Sequence, residues 1–213
     1  MVKFIIVRHG HSMGNKCRRF TGQMDSPLNT VGISQAECVA KYISENFNPD
    51  AIYSSDLSRA YNSVKPLADK LGLDIIKCKE LREIDVGKWG GILAEDIQKL
   101  YPEKLQLYRT TPGLFRFDGG ESHEELMERG KLAFESIARQ NEGKTVVVGT
   151  HGELIRTLHA LWNNIPLERL QDISIVPNGS VTVVTYDNGN VCQLVTGYTD
   201  HLTEVTYETV SSN

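Results

Sequence analysis

The chain has 213 residues, of which 40% are hydrophobic, 23% charged and 8% aromatic, enough apolar material for a substantial core and too much for a disordered chain. Its 23 Lys and Arg against 27 Asp and Glu give a formal net charge of -4, which excludes a broad surface for nucleic acid or an anionic membrane. Any anionic ligand must be held by a local cluster of cations.

The first apolar run, Phe4 to Val7, is too short for a signal-peptide core or a membrane span, so a cytoplasmic location and no membrane partner are expected. A run this rich in β-branched residues, stopped by Arg8, His9 and Gly10, reads as a buried strand. A loop with Gly14, Asn15, Gly22, Asp25, Pro27 and Gly32 follows. From Ser34 to Phe47 the spacing of Ala36, Val39, Ala40 and Ile43 is helical, and Asn48 and Pro49 end it. Ala51 to Tyr53 reads as a short strand, and Ser58 to Leu71 as a second helix with Gly72 just beyond it. Asp74 to Ile76 supplies a third strand, Leu81 to Gly91 a glycine-bearing loop, and Glu95 to Tyr101 and Glu103 to Tyr108 two short helices. Thr110 to Gly120, with Pro112 and three glycines, is irregular and longer than a tight connection needs, as functional lids often are.

Ser122 to Gln140 reads as a long helix with Leu126, Gly130, Ala133 and Ile137 on one face, and Glu121 and Ser122 are expected to cap it. Thr145 to Val148 is an apolar strand and Glu153 to Trp162 a further helix. Val181 to Tyr186 and Val191 to Val195 flank Asp187, Asn188, Gly189 and Asn190, a β-hairpin signal. The alternation predicts an α/β fold with a doubly wound, mainly parallel sheet flanked by helices, to which the C-terminal β-hairpin adds an antiparallel edge. No linker composition or repeat interrupts residues 1–213, which read as one domain. The hairpin's exposed edge is where a second copy would pair to form a homodimer. Cys17, Cys38, Cys78 and Cys192 are widely scattered without a Cys-x-x-Cys pair and read as free thiols.

In open α/β sheets ligands bind beyond the carboxyl ends of the strands. Arg8 and His9 follow the first strand; Ser54, Ser55, Asp56 and, one turn on, Arg59 follow the second; Thr150 and His151 follow the strand that begins at Thr145. Singly, each is most simply a solvated arginine or a structural histidine. Together they bring two guanidinium groups and two imidazoles to one sheet edge without metal-ligand spacing, which suits a phosphate. Gly10 and Gly152 each follow a histidine, where a glycine lets the backbone approach a ligand and helix N-termini supply N–H donors.

These residues belong to a longer pattern. Arg8, His9, Gly10, Ser12, Asn15, Gly22, Asp25, Pro27, Leu28, Gly32, Gln35 and Ala36 resemble the opening signature of the histidine phosphatase superfamily, also called the phosphoglycerate mutase-like family. Further blocks follow in the family's order: Ser54 to Ala60; Leu81, Arg82, Glu83, Gly87, Trp89 and Gly91; Gly119 to Ser122; Thr150, His151, Gly152 and Arg156; Asn178, Gly179 and Ser180. The resemblance spans roughly residues 3 to 185 and implies a phosphoglycerate mutase-like fold. It implies His9 as a covalent nucleophile, since a neutral imidazole attacks phosphorus near pH 7 without a separate base. Arg8, Arg59 and His151 would hold the non-bridging oxygens, Asn15 would add a hydrogen bond, and Thr21, Gly22 and Gly152 would border the phosphate. Glu83 takes the acid and base role by resemblance, with Glu80 and Asp85 nearby on spacing alone. No cofactor and no metal are implied.

The same pattern serves phosphatases and 2,3-bisphosphoglycerate-dependent phosphoglycerate mutases. Arg19, Phe20, Thr21 and Gly22 resemble a mutase loop. Against this, Glu153 follows the second His-Gly where mutases have Asn, Glu83 is followed by a phosphatase-like stretch from Ile84 to Trp89, and the chain lacks the longer mutase insertion. A metal-independent phosphomonoesterase acting on a small phosphorylated metabolite is therefore expected, with the mutase as the alternative. His11 stands where the family has Glu or Gln; it is either a tolerated loop variant or a second imidazole that adds charge to the pocket at acid pH. His9 and His11 also spell His-x-His, a spacing of metal-dependent hydrolases, but no further ligand pattern completes a metal centre. A module that merely binds a phosphorylated ligand is a third reading. The segment at about 84–120 is expected to cover the substrate, with Arg18, Arg19, Arg109 and Arg116 available to a second anionic group. Tyr101, Tyr108, Phe115 and Phe117 form either core or an apolar lid.

Overall fold

Alternation along the first strand sets the layers of the molecule. A computed structural model describes residues 1–203. From β1 (Val2–Arg8) the chain passes through a one-turn α1 (Met13–Lys16) and a long α2 (Thr30–Asn46) to β2 (Ala51–Ser54), α3 (Ser58–Leu71) and β3 (Ile75–Lys77). The short α4 (Ala94–Leu100) and α5 (Pro102–Thr110) and the long α6 (His123–Gln140) precede β4 (Thr145–Thr150) and α7 (Gly152–Trp162). The hairpin of β5 (Val181–Asp187) and β6 (Asn190–Tyr198) follows. On one face Ile5, Val7, Ile52 and Val147 pack against Val39 and Ile43 of α2 and Val64 and Leu67 of α3. On the other, Phe4, Ile6 and Val148 pack against Phe134 of α6 and Leu154 and Leu158 of α7. Successive residues of one strand thus serve opposite layers, as the two-residue period requires.

The sheet order is β3-β2-β4-β1-β5-β6. β1, β2, β3 and β4 pair in parallel, whereas β5 runs antiparallel to β1 and β6 antiparallel to β5. The mainly parallel, doubly wound sheet with an antiparallel C-terminal hairpin is the architecture expected from the alternation of elements. β4 returns between β1 and β2, so the carboxyl ends of β2, β4 and β1 lie side by side at the switch in strand order. Register keeps those ends level, with Arg8 opposite Thr150 and Ser54 opposite Gly149. The hairpin turns at Asn188 and Gly189, both with positive φ of 50° and 89°, the pair a tight primed turn demands. Among the described residues β6 pairs only with β5, and no helix is long and apolar enough to cross a membrane.

The structure departs from expectation in its loops. The segment after β1 contains α1, because Ser12 and Asn15 cap each other's backbone reciprocally. α2 starts at Thr30 and not at Ser34, since Asn29 accepts the Gly32 N–H as its N-cap. Gly32 is therefore a helical residue, and a Cβ there would lie 2.1 Å from the His11 carbonyl oxygen. A one-turn 3-10 segment at Lys79–Leu81 leads into the stretch from Leu81 to Gly91, which holds a second at Gly87–Trp89.

The stretch from Thr110 to Gly120 turns two aromatic side chains inward. Phe115 and Phe117 are buried against the Trp89 ring, each with centroids 5.4 Å away. Tyr101, Tyr108 and Phe20 join the same aromatic cluster, so these aromatics belong to the core. Ser122 caps α6 as expected, but Glu121 does not. Its carboxylate accepts the Asp85 N–H at 2.9 Å and pairs with Arg129 at 2.8 Å, which ties the loop at 80–85 to α6.

Candidate active site

His9 lies immediately beyond β1 and is buried. Its Nδ1 lies 2.8 Å from the Gly10 carbonyl oxygen. A carbonyl only accepts, so the proton sits on Nδ1 and Nε2 carries the lone pair. Burial, with Arg59 and Arg8 adding to it, holds the His9 pKa well below the ordinary imidazole value, and the ring is neutral at pH 7. The backbone beneath it is fixed by Ser63, whose hydroxyl accepts the Gly10 N–H at 2.8 Å, and by Asn178, whose amide donates to the His9 carbonyl at 3.0 Å.

His151, beyond β4, is fully buried and its ring centroid is 5.2 Å from that of His9. Burial, then Arg59 and His9, lower its pKa well below the ordinary value. Its Nε2 lies 2.9 Å from the Ser55 hydroxyl, which already accepts the Leu57 N–H. Among the described residues Nε2 is the acceptor within reach of the Ser55 O–H, so the hydroxyl donates to it and the His151 proton resides on Nδ1. That buried Nδ1 has no hydrogen-bond partner in the protein, nor do the buried Nε atoms of Arg8 and Arg59. Arg8 is anchored by a bond from Nη1 to the Val176 carbonyl. Arg59, only 1% exposed, spends Nη1 on the Met24 carbonyl at 2.9 Å and Nη2 on the Gly22 carbonyl at 2.7 Å. Burial lowers both guanidinium pKa values, with Glu83 pulling each back up, and both remain cations. The three strand ends thus bring Arg8, Arg59 and His151 close enough to the neutral His9 to act on its charge, and each of the three carries a buried nitrogen without a protein partner. Buried donors without partners are costly in a protein interior.

The remaining expected residues surround this cradle in different ways. The Asn15 carbonyl oxygen accepts from Ser12 and Asn178, so its NH₂ is the end left to donate. Gly22 enters through its carbonyl on Arg59, and the Thr21 side chain packs on Gly14, where a Cβ would lie 2.2 Å from the Thr21 methyl. Asp25 caps α3 from this loop by accepting from the Ser58 N–H and hydroxyl at 2.8 and 2.7 Å. The same loop therefore braces the helix that carries Arg59. Gly152 opens α7, and a Cβ there would lie 3.1 Å from the Arg8 guanidinium carbon.

Glu83 faces the cradle from the loop after β3. Its carboxylate accepts N–H bonds from Ile84 at 3.0 Å and Glu153 at 3.2 Å. Burial, followed by the neighbouring Glu153, raises its pKa, while the Ile84 N–H, Arg59 and Arg8 oppose the rise. Glu80 is turned outward to Cys78, and Asp85 accepts from Gly87, so neither competes for the position. Three residues surround Glu153: His123 Nε2 at 3.2 Å, the Tyr108 hydroxyl at 3.1 Å and Arg156 Nη1 at 3.4 Å. The sequence marks Arg156 in a family block and Tyr108 among the aromatics, but nothing in it marks His123 or joins the three to Glu153.

Residues 4–197 match the model of the histidine phosphatase superfamily, branch 1. The chain belongs to that family. It is 32% identical over 204 residues, 96% of each chain, to phosphoserine phosphatase 1 of Hydrogenobacter thermophilus. It is 34% identical over 170 residues, 78% of this chain and 77% of the other, to a probable phosphoglycerate mutase, GpmB, of Yersinia pestis. Bacillus stearothermophilus YhfR superposes with a TM-score of 0.90 at 30% identity, covering 95% of this chain and all of that one. This histidine phosphatase is a phosphomonoester hydrolase by class.

His11 and most of the outer arginines have partners of their own in this histidine phosphatase. His11 accepts from the Asn29 amide at 2.8 Å through Nδ1, and burial outweighs Asn29 so that its pKa is lowered. Arg8 and Lys16 add to the lowering, and His11 is neutral near pH 7. Three of the four outer arginines are already engaged: Arg19 with the Gly91 carbonyl at 2.6 Å, Arg109 with Gln98 at 3.0 Å and Arg116 with Glu125 at 2.7 Å. Arg18 and Arg109 line a surface cavity of about 500 Å³ with Leu93, Ala94 and Gln98. Among the described residues, no three His, Cys, Asp or Glu side chains converge as metal ligands.

Proposed function

We propose that the protein is a metal-independent phosphomonoesterase that acts on a small phosphorylated metabolite through a phosphohistidine on His9. The observation that carries this reading is the set of buried, unpartnered donors, Arg8 Nε, Arg59 Nε and His151 Nδ1, around a histidine whose lone pair is on Nε2. Three donors match the three non-bridging oxygens of a phosphoryl group, and Asn15 adds a fourth. The His9 Nε2–phosphorus bond forms as the ester oxygen–phosphorus bond breaks, and the departing oxygen takes the proton of Glu83. Water then attacks phosphorus, the N–P bond breaks, and the Glu83 carboxylate receives the water proton. Two guanidinium groups supply the charge neutralisation for which other phosphatases use a metal. The segment at 84–120 covers the substrate, with its aromatic residues packed around Trp89.

Hydrolysis is favoured over mutase chemistry by the likeness to a phosphoserine phosphatase over 96% of each chain and by Glu153 after the second His-Gly, where mutases have Asn. The deciding experiment is a panel of phosphorylated metabolites, including phosphoserine, assayed for phosphate release with and without EDTA. Isomerisation of 3-phosphoglycerate is measured beside it, with and without 2,3-bisphosphoglycerate. Phosphate release that survives EDTA supports the reading; efficient bisphosphoglycerate-dependent isomerisation overturns it.

A further inference from the structure

The buried network behind Glu83 has no place in the two chemical steps above. Glu153 is 5% exposed, and a carboxylate so enclosed is sustained only where donors compensate its desolvation. Here His123, Tyr108 and Arg156 all point at its two oxygens, while its own N–H is bonded to the Glu83 carboxylate. Burial acts to raise the Glu153 pKa, but the His123 bond, Arg156 and Tyr108 outweigh it and leave the group below the ordinary carboxylate value. Glu153 is thus the ionised member of two neighbouring carboxyl groups.

Glu83 meets opposing influences. Arg8 from β1 and Arg59 from α3 favour its anion, as does the N-terminus of α7 on which it rests. Arg129 of α6 donates to the Glu83 backbone carbonyl at 3.3 Å but is paired with Glu121, and Arg82 is held bidentately by Asp56. Tyr108 of α5 contributes only a neutral hydroxyl, its pKa driven well up by burial and then by Glu153. Two cations and a helix N-terminus would make Glu83 a strong acid, spent before the leaving group needs a proton.

Resting on the active-site reading above, we propose that Glu153 is a positioning residue for proton transfer, a fixed carboxylate beside Glu83 that keeps the proton on Glu83 at neutral pH. Two adjacent carboxyl groups separate into one anion and one acid, and the donor set decides which is which. His123, Tyr108 and Arg156 assign the charge to Glu153, which leaves Glu83 as the acid.

The test is the pH profile of kcat/KM on β-glycerophosphate, an alkyl ester that needs a protonated leaving group, beside p-nitrophenyl phosphate, which does not. Glu153→Gln should move the basic limb on β-glycerophosphate down by about one pH unit, roughly tenfold in rate at the alkaline end, with a smaller change on p-nitrophenyl phosphate. Glu153→Asp retains the charge and should keep the limb near its wild-type position. Tyr108→Phe removes a donor that damps the Glu153 charge and should move the limb up by a few tenths of a unit, opposite to Glu153→Gln. An unmoved limb in Glu153→Gln, or equal shifts in Glu153→Gln and Glu153→Asp, overturns the proposal. If Glu153→Gln does not fold, Tyr108→Phe decides, and a limb that falls or stays in place overturns it. A Glu83→Gln variant that loses nothing on β-glycerophosphate would overturn the role of Glu83 and this inference with it. An intact Glu83→Gln effect beside an unmoved Glu153→Gln limb would overturn this inference alone.

Discussion

The cluster of Arg8, His9, Arg59 and His151 and the carboxyl pair of Glu83 and Glu153 lie close together but are held by different means. In the cluster, each residue sits within a few positions of a strand end, and backbone ladders fix those ends, with Arg8 level with Thr150 and Ser54 with Gly149. On the acid side, Glu83 sits in a loop whose position comes from side chains of distant segments. Arg129 of α6 binds the carbonyls of Glu80, Arg82 and Glu83, and Glu121 holds the Asp85 N–H. A sheet fixes charges with main-chain bonds that any sequence of the right pattern can make. A loop needs particular partners, so its geometry is more easily lost.

The comparison can be broken first at the nucleophile. His9→Ala should reduce kcat on p-nitrophenyl phosphate by at least about 10⁴-fold with little change in Tm, because the ladder around it remains. Retained activity would remove His9 from the mechanism. Arg59→Met should cost about 10²–10³ in kcat/KM. It should also lower Tm, since the Gly22 and Met24 carbonyls lose their donor; a loss confined to Tm would make Arg59 structural only. Glu83→Gln should fall about 10²-fold or more on β-glycerophosphate and less than about tenfold on p-nitrophenyl phosphate.

Two smaller effects sharpen the contrast. Gly87 has φ of 50°, and a Cβ there would lie 2.2 Å from the Asp118 carbonyl oxygen. Gly87→Ala should therefore lower Tm by about 5–10 °C, the consequence of about 3 kcal/mol in a chain of this size. It should also lower kcat by displacing Glu83, whereas an unchanged Tm would show that the loop relaxes freely. Finally, His9 and His151 have folded pKa values below those of the unfolded chain. Below the ordinary imidazole value of about 6.5 the unfolded state binds more protons, so stability falls as pH falls through 6 to 5. Denaturant midpoints across that range should show the slope, and His151→Asn should flatten it.

Much of the fold was legible because strands and helices announce themselves by local period. α3 runs over Ser58–Leu71 with Gly72 in the left-handed conformation beyond it, as its spacing and terminal glycine predict. The α6 face of Leu126, Gly130, Ala133 and Ile137 is buried as read. The start of α2 was misplaced because Gly32 looks like a loop glycine until its approach to His11 is known. The burial of Phe115 and Phe117 in the stretch at 110–120 was not legible because their partner, Trp89, lies more than twenty positions away in the chain.

The sequence by itself determined the α/β class, the family pattern and the charged residues at the strand ends, since each depends on neighbours a few positions apart. Tertiary structure alone decided which donors surround each carboxyl group, which histidine nitrogens meet a partner, and which arginines already hold protein acceptors. Those outcomes depend on burial and on donors brought together from across the chain, such as His123 on Glu153 and Ser55 on His151. No local spacing encodes them, because desolvation and hydrogen bonding act only after the layers have closed.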